Sequence, residues 1–242
     1  MNNRNWNQFR RLFVSTSWIA LLVFAMSSPS YATESAAGRP ITGLQVTQYG
    51  GVVPPHPGWV FAISPAVYTA FLGGNVQTPV AGQLALDLDV EASLVMVGVT
   101  RIWGTPTKKW NFASGVVVPI ANTDATANIV LGNVAGQRKD SLLSQYDMLF
   151  IPLLASYHIS QVQHLSFNVT VWAPAGDYAT GRLANNSMNV WTFVPTVAYT
   201  RIWPASNVSL DVNYGIGFYT ENPDTDYKSG ALSNLDLMHE KV

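Results

Sequence analysis

Cysteine is absent from all 242 residues, which excludes a disulfide framework and any thiolate metal site. Charge is scarce as well. Asp, Glu, Lys and Arg together make up 11% of the chain, against ~25% in ordinary soluble domains, so the usual solvating surface is missing. Beyond residue 32 no run approaches the ~20 apolar residues of a spanning helix, so membrane residence would have to come from strands. Gly-x-Ser-x-Gly, His-Glu-x-x-His and Walker motifs are all lacking. His56, His158, His164 and His239 are scattered. His158 shares a strand face with Ser156, but no third group orients the pair. No enzyme, cofactor or metal is expected.

What is present begins with an export leader, expected at 1–32. Arg4, Arg10 and Arg11 precede an apolar run from Leu12 to Met26, and Pro29 precedes Ser30-Tyr31-Ala32, small residues at the −3 and −1 positions of a cleavage site. Removing the leader takes three Arg residues and leaves 10 basic residues against 14 acidic, net −4. That balance disfavours nucleic acid, which wants a basic stripe. Residues 33–58, rich in Gly and Pro, read as an irregular segment. They are expected to be either a plug folded back into a lumen or a disordered leader.

Residues 59–242 read as one all-β domain. Candidate strands are 59–71, 84–103, 110–121, 148–159, 165–174, 190–203 and 208–219, with a fragment at 235–242; most match the ~9–11 residues of a tilted transmembrane strand. Two are strictly alternating. Leu165, Phe167, Val169, Val171 and Ala173 interleave with Ser166, Asn168 and Thr170. Val208, Leu210, Val212, Tyr214, Ile216 and Phe218 interleave with Ser209, Asp211, Asn213, Gly215 and Gly217. Period two places each set on one sheet face. The connections alternate too: 72–83, 122–147, 175–189 and 220–234 are long, while 104–109, 160–164 and 204–207 are short. Tight turns on one side and wandering loops on the other are the rhythm of an antiparallel up-and-down transmembrane β-barrel. Trp103, Trp110, Trp203 and Tyr157 fall at one rim and Trp172, Trp191 and Tyr219 at the other, as two aromatic girdles would.

Lumen-lining residues follow from parity. Asp87, Asp89 and Glu91 are expected on the wall near the outer mouth, either as a cation-favouring rim or as a merely hydrated surface. Arg101, sharing the parity of Asp87, is expected to face inward. The repeat of Thr100-Arg101-Ile102-Trp103 as Thr200-Arg201-Ile202-Trp203 extends this to Arg201, and then to Trp191, Phe193 and Tyr199, unless Pro195 marks a bulge that flips the register. Asp211 and Asn213 complete the set.

A resemblance adds to this reading. Tyr146-Asp147, Ala173-Pro174-Ala175-Gly176-Asp177-Tyr178, Asn185-Asn186-Ser187-Met188-Asn189-Val190-Trp191, Pro195 with Tyr199-Thr200, and Glu221 through Gly230 are similar to the meta-pathway phenol-degradation family of outer-membrane proteins. Before Trp110 the likeness is looser, resting on Pro57-Gly58-Trp59 and the alternation. The resemblance implies a transporter-like barrel of about 12 strands, encoded beside aromatic catabolism. The present chain holds about eight and lacks a terminal aromatic for the barrel assembly machinery, so a truncated product is expected. Expected partners are the outer-membrane lipid bilayer and small hydrophobic or aromatic molecules. The alternatives are a secreted soluble β-sandwich binding module and a structural barrel that transports nothing.

Overall fold

The computed structural model describes Arg39 and residues 49–80, 83–131 and 134–241. The expected leader, 1–32, and residues 33–48 apart from Arg39 lie outside the described residues. Every regular element described is a strand. In chain order they are β1 (Gly58–Val80), β2 (Gln83–Ile102), β3 (Trp110–Leu131), β4 (Val134–Gln145), β5 (Met148–Ser160), β6 (Gln163–Ala173), β7 (Thr192–Trp203), β8 (Val208–Tyr219), β9 (Glu221–Asn222), β10 (Tyr227–Lys228) and β11 (Leu232–Lys241).

Eight of them form one antiparallel path, β1-β2-β3-β5-β6-β7-β8-β11, curled into a half-barrel. Each strand pairs with its neighbour in sequence, the meander that short hairpins dictate. β4 pairs the far half of β3 while β5 pairs the near half. The two act as one long strand interrupted at Tyr146-Asp147. Among the described residues, β1 and β11 do not pair with each other. β9 and β10 form a separate small hairpin.

Two expected long connections prove to be largely strand. β1 and β2 stay paired out to Val80↔Gln83, and β3 and β4 out to Leu131↔Val134. Across the start of the second of these, residues 121–128 alternate in burial: Ala121, Thr123, Ala125 and Ala127 are buried, and the polar residues between them are not. That face joins Val80 and Leu88 in a small core, but Ala and Thr contrast weakly with the Asn and Asp between them, which is why this extension reads as a loop. Connections 175–189 and 220–234 do hold irregular chain, the second enclosing β9 and β10.

The alternation of β6 and β8 carries through the register of the whole sheet. Ile63 lies opposite Val97, Val97 opposite Val118, Val116 opposite Phe150, Phe150 opposite Val171, Phe167 opposite Val197, Val197 opposite Tyr214, and Tyr214 opposite Leu235. One face is therefore a continuous apolar band, and it is exposed: Ile63, Val97, Phe167, Val169, Val197, Tyr214, Leu235 and Leu237 are all open. The other face is small and polar. Ser156, Ser166, Thr192, Thr200 and Ser209 are fully buried on it, beside Ala113, Ala121 and Ala198. Small side chains are what an inward-curling face has room for.

Candidate functional site

The buried polar face carries the site, and two pieces of the N-terminal stretch lie on it. At one end of the strands, the backbone of Gly50 to Val53 is held by side chains of the wall. Gly51 N–H donates to Thr200 Oγ1 (2.9 Å), Ser156 Oγ donates to the Gly51 carbonyl (2.7 Å), and Ser166 Oγ donates to the Gly50 carbonyl (3.2 Å). Asn111 Nδ2 donates to the Val53 carbonyl (2.9 Å). Val53 is buried with Ile102 and Ala113 in a small core, against which Leu154 packs. The approach is close enough to require glycine: a Cβ on Gly51 would stand 2.9 Å from both the amide and the hydroxyl of Thr200. Thr200 in turn donates to Asp211 Oδ1 at 2.5 Å.

His158 and His164 stand beside this contact, their Nδ1 atoms 2.6 Å apart and their rings edge to face. Asn111 Nδ2 lies 2.6 Å from His158 Nε2. An amide N–H can only donate, so Nε2 of His158 accepts and its Nδ1 carries the proton shared with His164. Ser156 gives its hydroxyl to Gly51 rather than to His158. Among the described residues no group of three or more His, Asp or Glu is disposed to hold a metal ion.

At the opposite end of the strands sits Arg39, buried. Its Nη2 donates to Asp147 Oδ2 (2.5 Å) and to the Val190 carbonyl (3.2 Å), its Nε donates to Thr192 Oγ1 (3.2 Å), and its backbone N–H donates to Tyr219 Oη (3.2 Å). The guanidinium lies 5.1 Å over the Trp172 ring, an attraction that gains strength away from water. Tyr146 meets Trp172 edge-on, and burial pushes its phenol above the ordinary value, with Arg39 pulling the other way.

Asp147 is also the hub of the loops. Its Oδ1 accepts the Gly176 amide (2.9 Å) and its Oδ2 the Met188 amide (3.0 Å). Asn186, fully buried, accepts from Thr123 Oγ1 (2.6 Å) and donates to the Ala121 carbonyl (2.9 Å). Gly176 fits only as glycine, since a Cβ there would meet the Asn186 carbonyl oxygen at 2.3 Å. On the exposed rim, Asp177 accepts from Arg182 Nη2 (2.8 Å), and that bond holds its carboxyl below the ordinary range.

The structure does not bring the ten expected lining residues to one face. Asp211 and Asn213 lie on the polar face, with Thr200 and Ala198 as cross-strand partners. Asp89, Glu91 and Arg101 share the opposite face with Val95 and Val97. Arg101 packs 5.2 Å over Trp59 there. Phe193, Tyr199 and Arg201 also lie on that apolar face, opposite Val171, Leu165 and Gln163. Pro195 introduces no slip, since β6 and β7 stay in one register across it. Asp87 adopts a left-handed φ of 49° within an irregularity between Leu86 and Asp89, and accepts from Asn128. Trp191 precedes β7 and is exposed; its N–H donates to Thr220 Oγ1 and its carbonyl accepts the Thr220 N–H. Of the expected girdle, Trp103 and Trp203 are exposed, whereas Trp172 and Tyr219 turn toward Arg39.

Sequence reasoning missed Arg39, Asn111, Ser156, Ser166, Thr192 and Thr200 as site residues. The hydroxyls had a signal, each being on the parity opposite an apolar set. Arg39 had none, because nothing in its neighbourhood is periodic.

No curated protein and no solved structure matches the chain. The loop hub is built from Tyr146-Asp147, Gly176-Asp177 and Asn185–Trp191, the segments that carried the resemblance. A family model described as putative MetA-pathway of phenol degradation matches residues 73–242, and the chain belongs to that family.

Proposed function

We infer that this protein is an exported outer-membrane barrel giving small aromatic compounds a passive route inward, without catalysing a reaction. The observation that carries this reading is the two-faced sheet: an unbroken exposed apolar band across all eight strands, backed by a face of buried hydroxyls, amides and carboxylates. In water such a band is a liability, since exposed apolar patches of that extent mark a membrane or partner surface. Against lipid it is what an outer-membrane strand presents, with its polar residues turned to the lumen.

Membership of a phenol-degradation family supports aromatic compounds as the cargo. The chemistry of the polar face refines that. Its Ser, Thr, Asn and His side chains suit molecules with an aromatic body and a hydroxyl, which exchange hydrogen bonds with the wall as they pass. The lumen then works by hydrogen-bond exchange rather than by an aromatic lining, because Phe193 and Tyr199 lie on the other face.

The test is uptake of labelled phenol at limiting concentration by paired strains with and without the protein. Slower uptake in the deleted strain, restored by the plasmid-borne protein, is expected. Equal uptake in both removes the reading.

A further inference from the structure

We propose that His158 and His164 form a pH-sensitive clasp: with both rings neutral, Asn111 is aimed at the Val53 carbonyl, and one added proton turns Asn111 over and frees Val53 from the wall. The clasp goes beyond the channel reading and does not depend on transport.

The device follows from a count of hydrogens. Asn111 Nδ2 has two. One goes to the Val53 carbonyl (2.9 Å) and the other to His158 Nε2 (2.6 Å). The two rings meet Nδ1 to Nδ1 at 2.6 Å, a contact with room for a single hydrogen. Two neutral imidazoles bring two N–H groups. His158 carries one on Nδ1, shared with His164, and His164 carries the other on Nε2. Every contact then holds one hydrogen.

An added proton makes three N–H groups over four ring nitrogens. While the rings stay in contact, the Nδ1 pair still takes one, so both Nε2 atoms carry the rest. His158 Nε2–H then faces the Asn111 donor. A half-turn of that amide relieves the clash by offering Oδ1 to the ring. The same half-turn sets Oδ1 against the Val53 carbonyl oxygen, so a hydrogen bond becomes a contact between two acceptors. Val53, buried beside Ile102 and Ala113, loses the one donor its carbonyl has from the wall, and a buried acceptor without a donor is costly.

Among the described residues, the surroundings add little that titrates in the histidine range. β2 presents Ile102, β3 Asn111 and Ala113, β5 Ser156, β6 Ser166 and β7 Thr200. Past Thr200, β8 presents Asp211, bonded to Thr200, and Ser209, opposite Glu240 of β11. Lys108 and Lys109 in the turn after β2 are exposed. The docked segment brings backbone, with Tyr49 at its start and His56 exposed beyond it. Carboxylates, Lys and Tyr ordinarily titrate outside pH 5.5–7.5, which leaves His56 as the group to control.

The cysteine-free chain accepts a single probe. P54C, exposed and next to Val53, carries a trifluoromethyl tag in the full chain in detergent, and its fluorine resonances are recorded at pH 7.5 and 5.5. N111A supplies the undocked resonance. The parent is expected to show the docked resonance at pH 7.5, with the undocked share rising about tenfold at pH 5.5 for one orphaned carbonyl. H158F and H164F, carried in parallel so that one folded variant suffices, are expected to stay docked at both values, since Asn111 keeps its bond to Val53. H56Q is expected to respond like the parent. A parent spectrum unchanged between the two values overturns the clasp. So does a response that survives in H158F or H164F, or one that disappears in H56Q.

Discussion

Asp147 gathers one charged partner and two backbone amides on a single buried carboxylate. Its carboxylate takes the Arg39 guanidinium, the Gly176 amide and the Met188 amide, with no exposed surface of its own. Removing one partner of a buried ion pair costs about 3–5 kcal/mol, because the other charge stays behind unpaired. Asp147→Ala leaves Arg39 in that state and orphans two loop amides as well. Arg39→Ala leaves Asp147 those two amides. Asp147→Ala should therefore lower the unfolding midpoint in detergent further than Arg39→Ala, and equal losses would deny the carboxylate its role in the loops. Tyr146, next in the chain, supplies a pH dependence. Burial raises its phenol above 10.0, so it contributes stability that is complete below the unfolded value and is lost as pH rises through the folded one. Thermal midpoints measured between pH 8 and 11.5 should fall above about pH 10. Tyr146→Phe should flatten that fall, and a slope unchanged in the Phe variant would assign it to other groups.

At the level of elements, the strand pair β8–β11 presents an acid row on the polar face. Asp211, Asp236 and Glu240 each have a buried carboxylate oxygen without a partner, as does the Ser209 hydroxyl as an unpaired group beside them. Ser209 faces Glu240, and Asp236 faces Asn213. Unpartnered carboxylates facing a water path attract cations. Neutralising Asp211, Asp236 and Glu240 together should shift the reversal potential of the reconstituted pore toward anions. Neutralising Asp87, Asp89 and Glu91 should shift it less, since Asp89 and Glu91 lie on the apolar face. The reverse ranking would exchange the faces. The contrast also marks where the sequence was legible. β6 and β8 were readable because they alternate without interruption, and their register carries the pattern through the sheet. The far halves of β3 and β4 were not, because the buried face of β3 there is made of Ala and Thr, which contrast too weakly with the Asn and Asp between them. Parity failed at Asp87, whose left-handed backbone and local irregularity break the phase that would link it to Arg101. Pro195 invited the opposite error. Its missing N–H suggested a bulge, yet β6 and β7 hold register across it.

Taken as a whole, the molecule is defined by which side of the sheet each solvent meets. The site was only half legible for the same reason. Ser166 and Thr200 could be placed on a face from parity, whereas Arg39 and Gly51 reach that face through contacts 153 and 149 residues distant in sequence. A soluble sandwich would need a second layer over Ile63, Val97, Phe167 and Val169 to bury them. Among the described residues there is no such layer, and these side chains are open. A bilayer would cover them without a second protein layer, and the backbone groups of the strands between β1 and β11 would be satisfied there by the ladders already present. The prediction uses single cysteines in the cysteine-free chain, in protein reconstituted into liposomes. I63C, V97C and F167C should react with a lipid-dissolved maleimide and resist a membrane-impermeant one. N168C, one residue along on the other face, should react with the water-borne reagent. Uniform reaction of all four with the water-borne reagent would mean that no lipid lies against the apolar band, and that the exposed face belongs to a protein partner instead.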